Sequence, residues 1–144
     1  MDKFMALAIE EAKIGLTEGG IPIGSVLVKE GRVIGRGHNR RVQDGDPIMH
    51  AEIACLHNAG RQRSYGDTIL YSTLMPCYLC AGAAVQFGIK HVVVGESKTF
   101  AGAREFLEKH QIKVDDMNLP VCQNLMADFI KNNPMLWNED IGKE

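Results

Sequence analysis

The chain has 144 residues, 45% of them hydrophobic and 24% charged, and its 16 Lys and Arg against 18 Asp and Glu leave a formal charge of −2. A chain of that size hides about two-thirds of the surface its unfolded form exposes, which argues against disordered and disulfide-scaffold classes. Without a block of like charges it supplies no positive field for nucleic acid or a membrane surface, so a small neutral ligand fits better.

Phe4 to Leu16 carries helix formers with a stripe through Phe4, Leu7, Ala8, Glu11, Ala12 and Ile14, and Gly19-Gly20 ends it. Ser25 to Val28 and Arg32 to Gly35, joined by Glu30-Gly31, read as a β-hairpin. From Asn39 to Met49 the chain has turn residues and little periodicity, a loop, after which His50 to Leu56 resumes helix chemistry and stops near Gly60. Thr68 to Thr73 is a short strand, Pro76 opens a helix from Cys77 to Phe87 with Gly88 as its cap, and His91 to Val94 is a strand. Strand, helix, strand at that spacing is a βαβ unit with parallel strands. A helix over Ala103 to His110, a strand over Ile112 to Val114 and a helix over Pro120 to Lys131 follow. The sum is a single domain spanning 1–144, a three-layer α/β/α sandwich around a mixed sheet of about five strands.

No apolar run approaches the roughly 18 residues of a transmembrane helix, and the first residues lead directly into the helix carrying Glu10 and Glu11, so the expected location is the cytoplasm. Four cysteines in such a chain read as thiols or metal ligands before bridges. Cys77 and Cys80 stand three positions apart on the first turn of a helix, where unpaired N–H groups and the positive end of the macrodipole favour thiolates. His50, opening the previous helix at the same edge of the sheet, supplies a third ligand. Three protein ligands leave a fourth position open on zinc, the catalytic arrangement. Two thiolates and a neutral imidazole cancel the charge of the ion, so it acidifies water less than a three-histidine site does, and a base is needed. Glu52, two residues after His50, is placed to take and pass on that proton. A redox pair and a closed structural zinc site are the alternatives for the cysteines taken alone. Cys55 and Cys122 read as small buried hydrophobes.

His50-Ala51-Glu52 followed by Pro76-Cys77-x-x-Cys80 resembles the signature of the zinc deaminases. With Glu18 to Gly24, Gly35 to Asn39, Thr73 to Pro76, Val94-Gly95-Glu96, Trp137 and Glu139 to Gly142, nearly the whole chain resembles the cytidine deaminase superfamily, and within it the small fungal-type cytosine deaminases. The resemblance implies one Zn²⁺ per chain on His50, Cys77 and Cys80, with Glu52 as the catalytic proton shuttle. It implies hydrolysis of a free base, cytosine giving uracil and ammonia. Asn39 would hold the ring edge, Asp140 would accept from the exocyclic amine, and the Ala51 N–H would contact the ring carbonyl. Leu74 and Met75 would line the pocket, Phe100 and Trp137 would wall the base, and the segment with Trp137 and Asp140 would act as a lid. A turn-shaping Asn, ordinary aromatic core and a solvated carboxylate are the alternatives for Asn39, Phe100, Trp137 and Asp140. A homodimer is implied by the resemblance alone.

Two positions depart from the fungal pattern, Ala51 standing where it has Gly and Met75 where it has Ser. His50-Ala51-Glu52-Ile53 and Cys80-Ala81-Gly82-Ala83 resemble bacterial tRNA adenosine deaminases instead. Editing of tRNA is therefore the second reading, and isocytosine or guanine are other candidate bases. The stretch from Phe129 onward has Lys131 and Lys143 against Glu139, Asp140 and Glu144, where a phosphate-binding helix would be basic. A nucleic-acid partner is accordingly not expected, nor a membrane. A third, non-enzymatic reading is an interaction module around a closed zinc site.

Overall fold

The computed structural model describes residues 2–143. Helix α1 (Lys3–Thr17) starts where the Asp2 carboxylate accepts from the Phe4 and Met5 amides at 2.8 and 3.1 Å, satisfying donors that have no intrahelical partner. The hairpin β1 (Gly24–Lys29) and β2 (Arg32–His38) follows. It leads through a short helix α2 (Arg41–Asp44) to α3 (Ala51–Ala59). Then come β3 (Thr68–Ser72), α4 (Tyr78–Phe87), β4 (His91–Val94), α5 (Arg104–Lys109) and β5 (Lys113–Asp116). The chain continues with α6 (Pro120–Asn132) and α7 (Pro134–Asp140).

The five strands lie in the order β2-β1-β3-β4-β5. β1 is antiparallel to β2 and β3, whereas β3, β4 and β5 are mutually parallel. The sheet is therefore mixed, and the βαβ unit carries its crossover on α4. Alternation along the strands splits the core into two layers. Val26, Val28, Tyr71 and Val93 pack with Met5, Ala8 and Cys122 on the α1 and α6 side. Leu27, Leu70, Val92, Val94 and Val114 pack with Cys55, Ala81, Ala84 and Leu107 on the α3, α4 and α5 side. This is the α/β/α sandwich expected from the sequence.

Two glycines let helices and loops approach the sheet. A Cβ on Gly24 would stand 2.0 Å from the Ala8 carbonyl oxygen, and one on Gly95 would stand 2.5 Å from the Cys122 sulfur and 2.6 Å from the Thr73 carbonyl oxygen. Only a residue without a side chain permits those contacts.

Two helices lie where the sequence reading has none. The stretch from Asn39 to Met49 holds α2, four residues long and so too short for periodicity; it starts where the Asn39 carboxamide oxygen accepts from the Arg41 amide and ends at Gly45 with φ 60°. Past α6 the chain turns at Asn133, and Pro134 at the first position of α7 sets its φ for a new helix.

Candidate active site

Two helix N-termini meet at the C-terminal edge of the parallel strands. His50 is the N-cap of α3 and Cys77 the N-cap of α4, both with extended backbone, and Cys80 lies on the first turn of α4. Neither N-cap side chain caps its own helix, so both are free to point at each other. Their donor atoms and the Cys80 sulfur all lie within 4.8 Å of one another. His50 Nδ1 is 3.4 Å from the Cys77 sulfur, and the two sulfurs are 3.9 Å apart. A tetrahedron with zinc–sulfur bonds of about 2.3 Å has edges of about 3.8 Å, so this donor set fits zinc in both chemistry and spacing. Among the described residues this is the one such group. Cys55 and Cys122, both buried, stay outside it. Burial pushes both thiols up, Cys122 to about 12, which keeps them inert.

Proton placement follows from contacts. The Cys77 thiol is lowered to about 4, first by the Cys80 thiol donating to it and then, against burial, by His50. Cys80, which holds that shared proton and is buried, is raised. Burial opposes charge on His50, but the Cys77 hydrogen bond and the Asp140 carboxylate outweigh it and raise the imidazole to about 9. Glu52, 4% exposed on the first turn of α3, is raised to about 7 by burial and then by the Cys77 thiolate.

Beside these donors lies a small, partly open cavity. Its polar lining is Asn39, Glu52, Asp140 and the His50 and Cys77 side chains, and its apolar lining is Ile23, Leu74, Met75, Phe100 and Trp137. Asn39 stands just past the end of β2, and its carboxamide nitrogen donates to Asp140 Oδ1 at 3.2 Å, across 101 positions of chain. Asp140 Oδ1 also stands 3.8 Å from His50 Nε2, and its carboxyl is raised by burial. Phe100 is presented by a loop in which the buried Glu96 accepts from the Thr99 amide at 2.9 Å, while the Glu96 carbonyl accepts from the Met75 amide at 3.0 Å. Its ring meets Trp137 edge to face, with centroids 5.8 Å apart. Trp137 belongs to a cluster with Ile21, Ile23, Leu74, Met126 and Phe129, which seats α7 over the cavity.

The structure thus brings His50, Glu52, Cys77 and Cys80 together with Asn39, Leu74, Met75, Phe100, Trp137 and Asp140. Ala51 is not among the residues lining the cavity, although both its chain neighbours, His50 and Glu52, are. Its methyl packs in the α7 cluster, and its N–H, the first of α3, is left without an intrahelical acceptor. Ile23 is a lining residue that the sequence reading passed over. It lies in the irregular stretch between α1 and β1, where no periodicity marks a buried side chain, although an Ile flanked by Pro22 and Gly24 was an available signal.

Known proteins resemble this chain to differing degrees. The chain is 43% identical over 144 residues to the cytosine deaminase of Candida albicans, covering 98% of this chain and 96% of that one. It is 36% identical over 140 residues to a tRNA-specific adenosine deaminase of Streptococcus pyogenes, covering 89% of this chain and 88% of that protein. The solved structure of guanine deaminase from Bacillus subtilis superposes with a TM-score of 0.60 at 33% identity, over 65% of this chain and 64% of that one. Residues 1–96 match the family profile described as the cytidine and deoxycytidylate deaminase zinc-binding region, and with the full-length similarity above this makes the chain a member of the cytidine deaminase superfamily.

Proposed function

We propose that this chain, read as a single domain, is a zinc-dependent hydrolase that converts free cytosine to uracil and ammonia. The observation that carries the reading is the closure of the cavity by α7, which sets Asp140 against Asn39 and Trp137 against Phe100. Asn39 is 1% exposed, Met75 1%, Leu74 3% and Trp137 6%, so a ring bound among them is largely withdrawn from water. The 43% identity to a cytosine deaminase supports the same substrate.

His50, Cys77 and Cys80 would hold the metal, which when bound supplies a Lewis acid that makes water more acidic. Glu52 does the proton work. It accepts a proton from water and delivers it to the ring nitrogen beside the amine-bearing carbon as oxygen adds there, then takes the second proton from the added hydroxyl and gives it to the amine as the carbon–nitrogen bond breaks. Water thus supplies the oxygen of the new carbonyl, one hydrogen on the ring nitrogen and one of the three hydrogens of ammonia, so the balance closes without a further reactant. Phe100 and Trp137, which touch edge to face, together wall one side of the base, with Ile23 and Leu74 filling the edges. Asn39 offers a carbonyl and an amide to the ring edge, the Ala51 N–H faces the ring carbonyl, and Asp140 accepts from the exocyclic amine. That last contact distinguishes substrate from product, because uracil presents a carbonyl oxygen to the same carboxylate.

The test is a panel of cytosine, isocytosine, guanine and a tRNA anticodon stem-loop carrying adenosine, offered to zinc-loaded protein with ammonia release as readout. Cytosine is expected to have the highest kcat/KM. Preference for the stem-loop, with strong salt dependence, would replace this reading with tRNA editing, for which the 36% identity to a tRNA-specific adenosine deaminase speaks.

We also propose a homodimer. The outer face of α4 exposes Tyr78 at 73%, Leu79 at 43% and Phe87 at 48%. Beside them Gly82 faces open space, and Ile53, Leu56 and Tyr65 complete an apolar groove. Contiguous apolar surface of this kind marks an association site. Sedimentation velocity is expected to give twice the mass of the chain, and a monomer at micromolar concentration would refute it. No helix of the described residues is long and apolar enough to cross a membrane. All four cysteines are free thiols, consistent with a proposed cytoplasmic location.

A further inference from the structure

His38, the last residue of β2, takes no part in the site described above, yet its surroundings are unusual. Its Nδ1 lies 2.8 Å from Glu11 Oε1 and its Nε2 lies 2.8 Å from Glu18 Oε1, with the side chain only 12% exposed. Arg40 Nη1 also stands 3.2 Å from Nε2, so Glu11, Glu18 and Arg40 together hold the ring at both nitrogens. From α1 and its end come Glu10, Glu11 and Glu18, from its own strand Arg36, and from the α2 segment Arg40 and Asp44. Four carboxylates and two guanidinium groups thus surround the ring. The ring also lies flat on α1 at Gly15, where a Cβ would come within 3.1 Å of His38 Cδ2.

This cluster grips the residue that follows. Gln43 Nε2 is shared at 3.1 Å between Glu18 Oε1 and the Asn39 carbonyl oxygen. The Asn39 amide donates to the Ile23 carbonyl at 3.0 Å, and its side-chain oxygen accepts from the Arg41 amide at 3.0 Å, leaving the carboxamide nitrogen for Asp140. A hydrogen-bonded chain therefore runs from Glu11 through His38, Glu18 and Gln43 to the backbone of Asn39. Glu18 is held below the usual carboxylate range by Gln43 and then His38, so it stays an acceptor.

We propose that His38, clamped between Glu11 and Glu18, is a positioning residue that aims the Asn39 carboxamide into the cavity. The consequence for turnover rests on the reading that Asn39 binds the base; the positioning itself does not. His38→Gln keeps one side of the clamp and loses the other, and Glu18→Gln, at a partly exposed site, removes one side of the clamp with little risk to folding. In zinc-loaded protein with cytosine, His38→Gln is expected to raise KM roughly tenfold while kcat stays within about threefold, because Glu52 and the metal donors are untouched. Glu18→Gln shifts KM the same way by less. In an Asn39→Ala background, His38→Gln adds no further loss, since its effect passes through the missing carboxamide.

Nitrogen-15 spectra of substrate-free protein supply the readout independent of activity. The Asn39 side-chain amide signals are expected to move in His38→Gln and Glu18→Gln. Unmoved Asn39 signals, or losses that multiply fully with Asn39→Ala, would overturn the proposal. Wild-type protein that leaves cytosine intact would overturn the substrate reading instead, and the Asn39 signals would still decide the positioning.

Discussion

Glu52→Gln is expected to lower kcat for cytosine by roughly 10³-fold or more while zinc content and thermal midpoint stay near wild type. Glutamine matches glutamate in shape and still presents an oxygen to the cavity, but it cannot accept the proton of water and hand it on. The loss therefore isolates the proton transfer from binding. The pH profile of the wild type is the companion measurement. Burial, the larger cause that raises Glu52 to about 7 in the metal-free protein, persists with zinc bound, whereas the second cause, the Cys77 thiolate, is neutralised by the ion. The acid limb of kcat/KM is thus expected below about 7 but above the ordinary value of 4.5. Glu52 must be ionised to accept, so activity falls as pH drops through that limb. Wild-type-like turnover in Glu52→Gln would end the mechanism.

Cys80→Ala is expected to weaken zinc by well over 100-fold and abolish turnover with it, since even the loss of an outer hydrogen-bond partner of a ligand costs about 10- to 100-fold. The proton balance gives a second signature of the same site. Without metal, His50 is raised to about 9, Cys80 is raised and Cys77 is lowered to about 4, so at neutral pH the first two hold protons and the third does not. Zinc needs a neutral imidazole and two thiolates, so uptake releases about two protons. Affinity accordingly rises with pH by about 100-fold per unit between the two limits set by Cys77 and His50. Calorimetry in buffers of different ionisation enthalpy measures this directly. An affinity flat across pH 6 to 8 would show that the donors are not those three.

The two halves of the candidate metal site were legible for a local reason. Cys77 and Cys80 are brought together by one turn of helix, and His50 and Glu52 by another, so each pair is placed by a spacing of two or three residues. That the halves face each other follows from β2 and β3, both antiparallel to β1, which run out at the same edge of the mixed sheet and lead on to α3 and α4. Cys55 shows the same logic in reverse. It lies on the helix that begins beside His50, but its thiol turns to the Gly35 carbonyl at 3.4 Å and away from the site.

Local pattern alone determined the βαβ unit with its parallel strands, the candidate metal donors, Glu52 beside them and the layers of the sandwich, because each depends on helix and strand periods of a few residues. Tertiary structure decided the rest of the cavity. Ile23 precedes β1, Asn39 follows β2, Phe100 sits in a loop held by Glu96, and Trp137 and Asp140 arrive on a helix that opens only after the turn at Asn133. Contacts such as Asn39 with Asp140 or His38 with Glu11 and Glu18 join residues from 20 to 101 positions apart. They form because packing of α1 and α7 onto the sheet brings the groups within hydrogen-bonding reach, and no period in the chain encodes that distance.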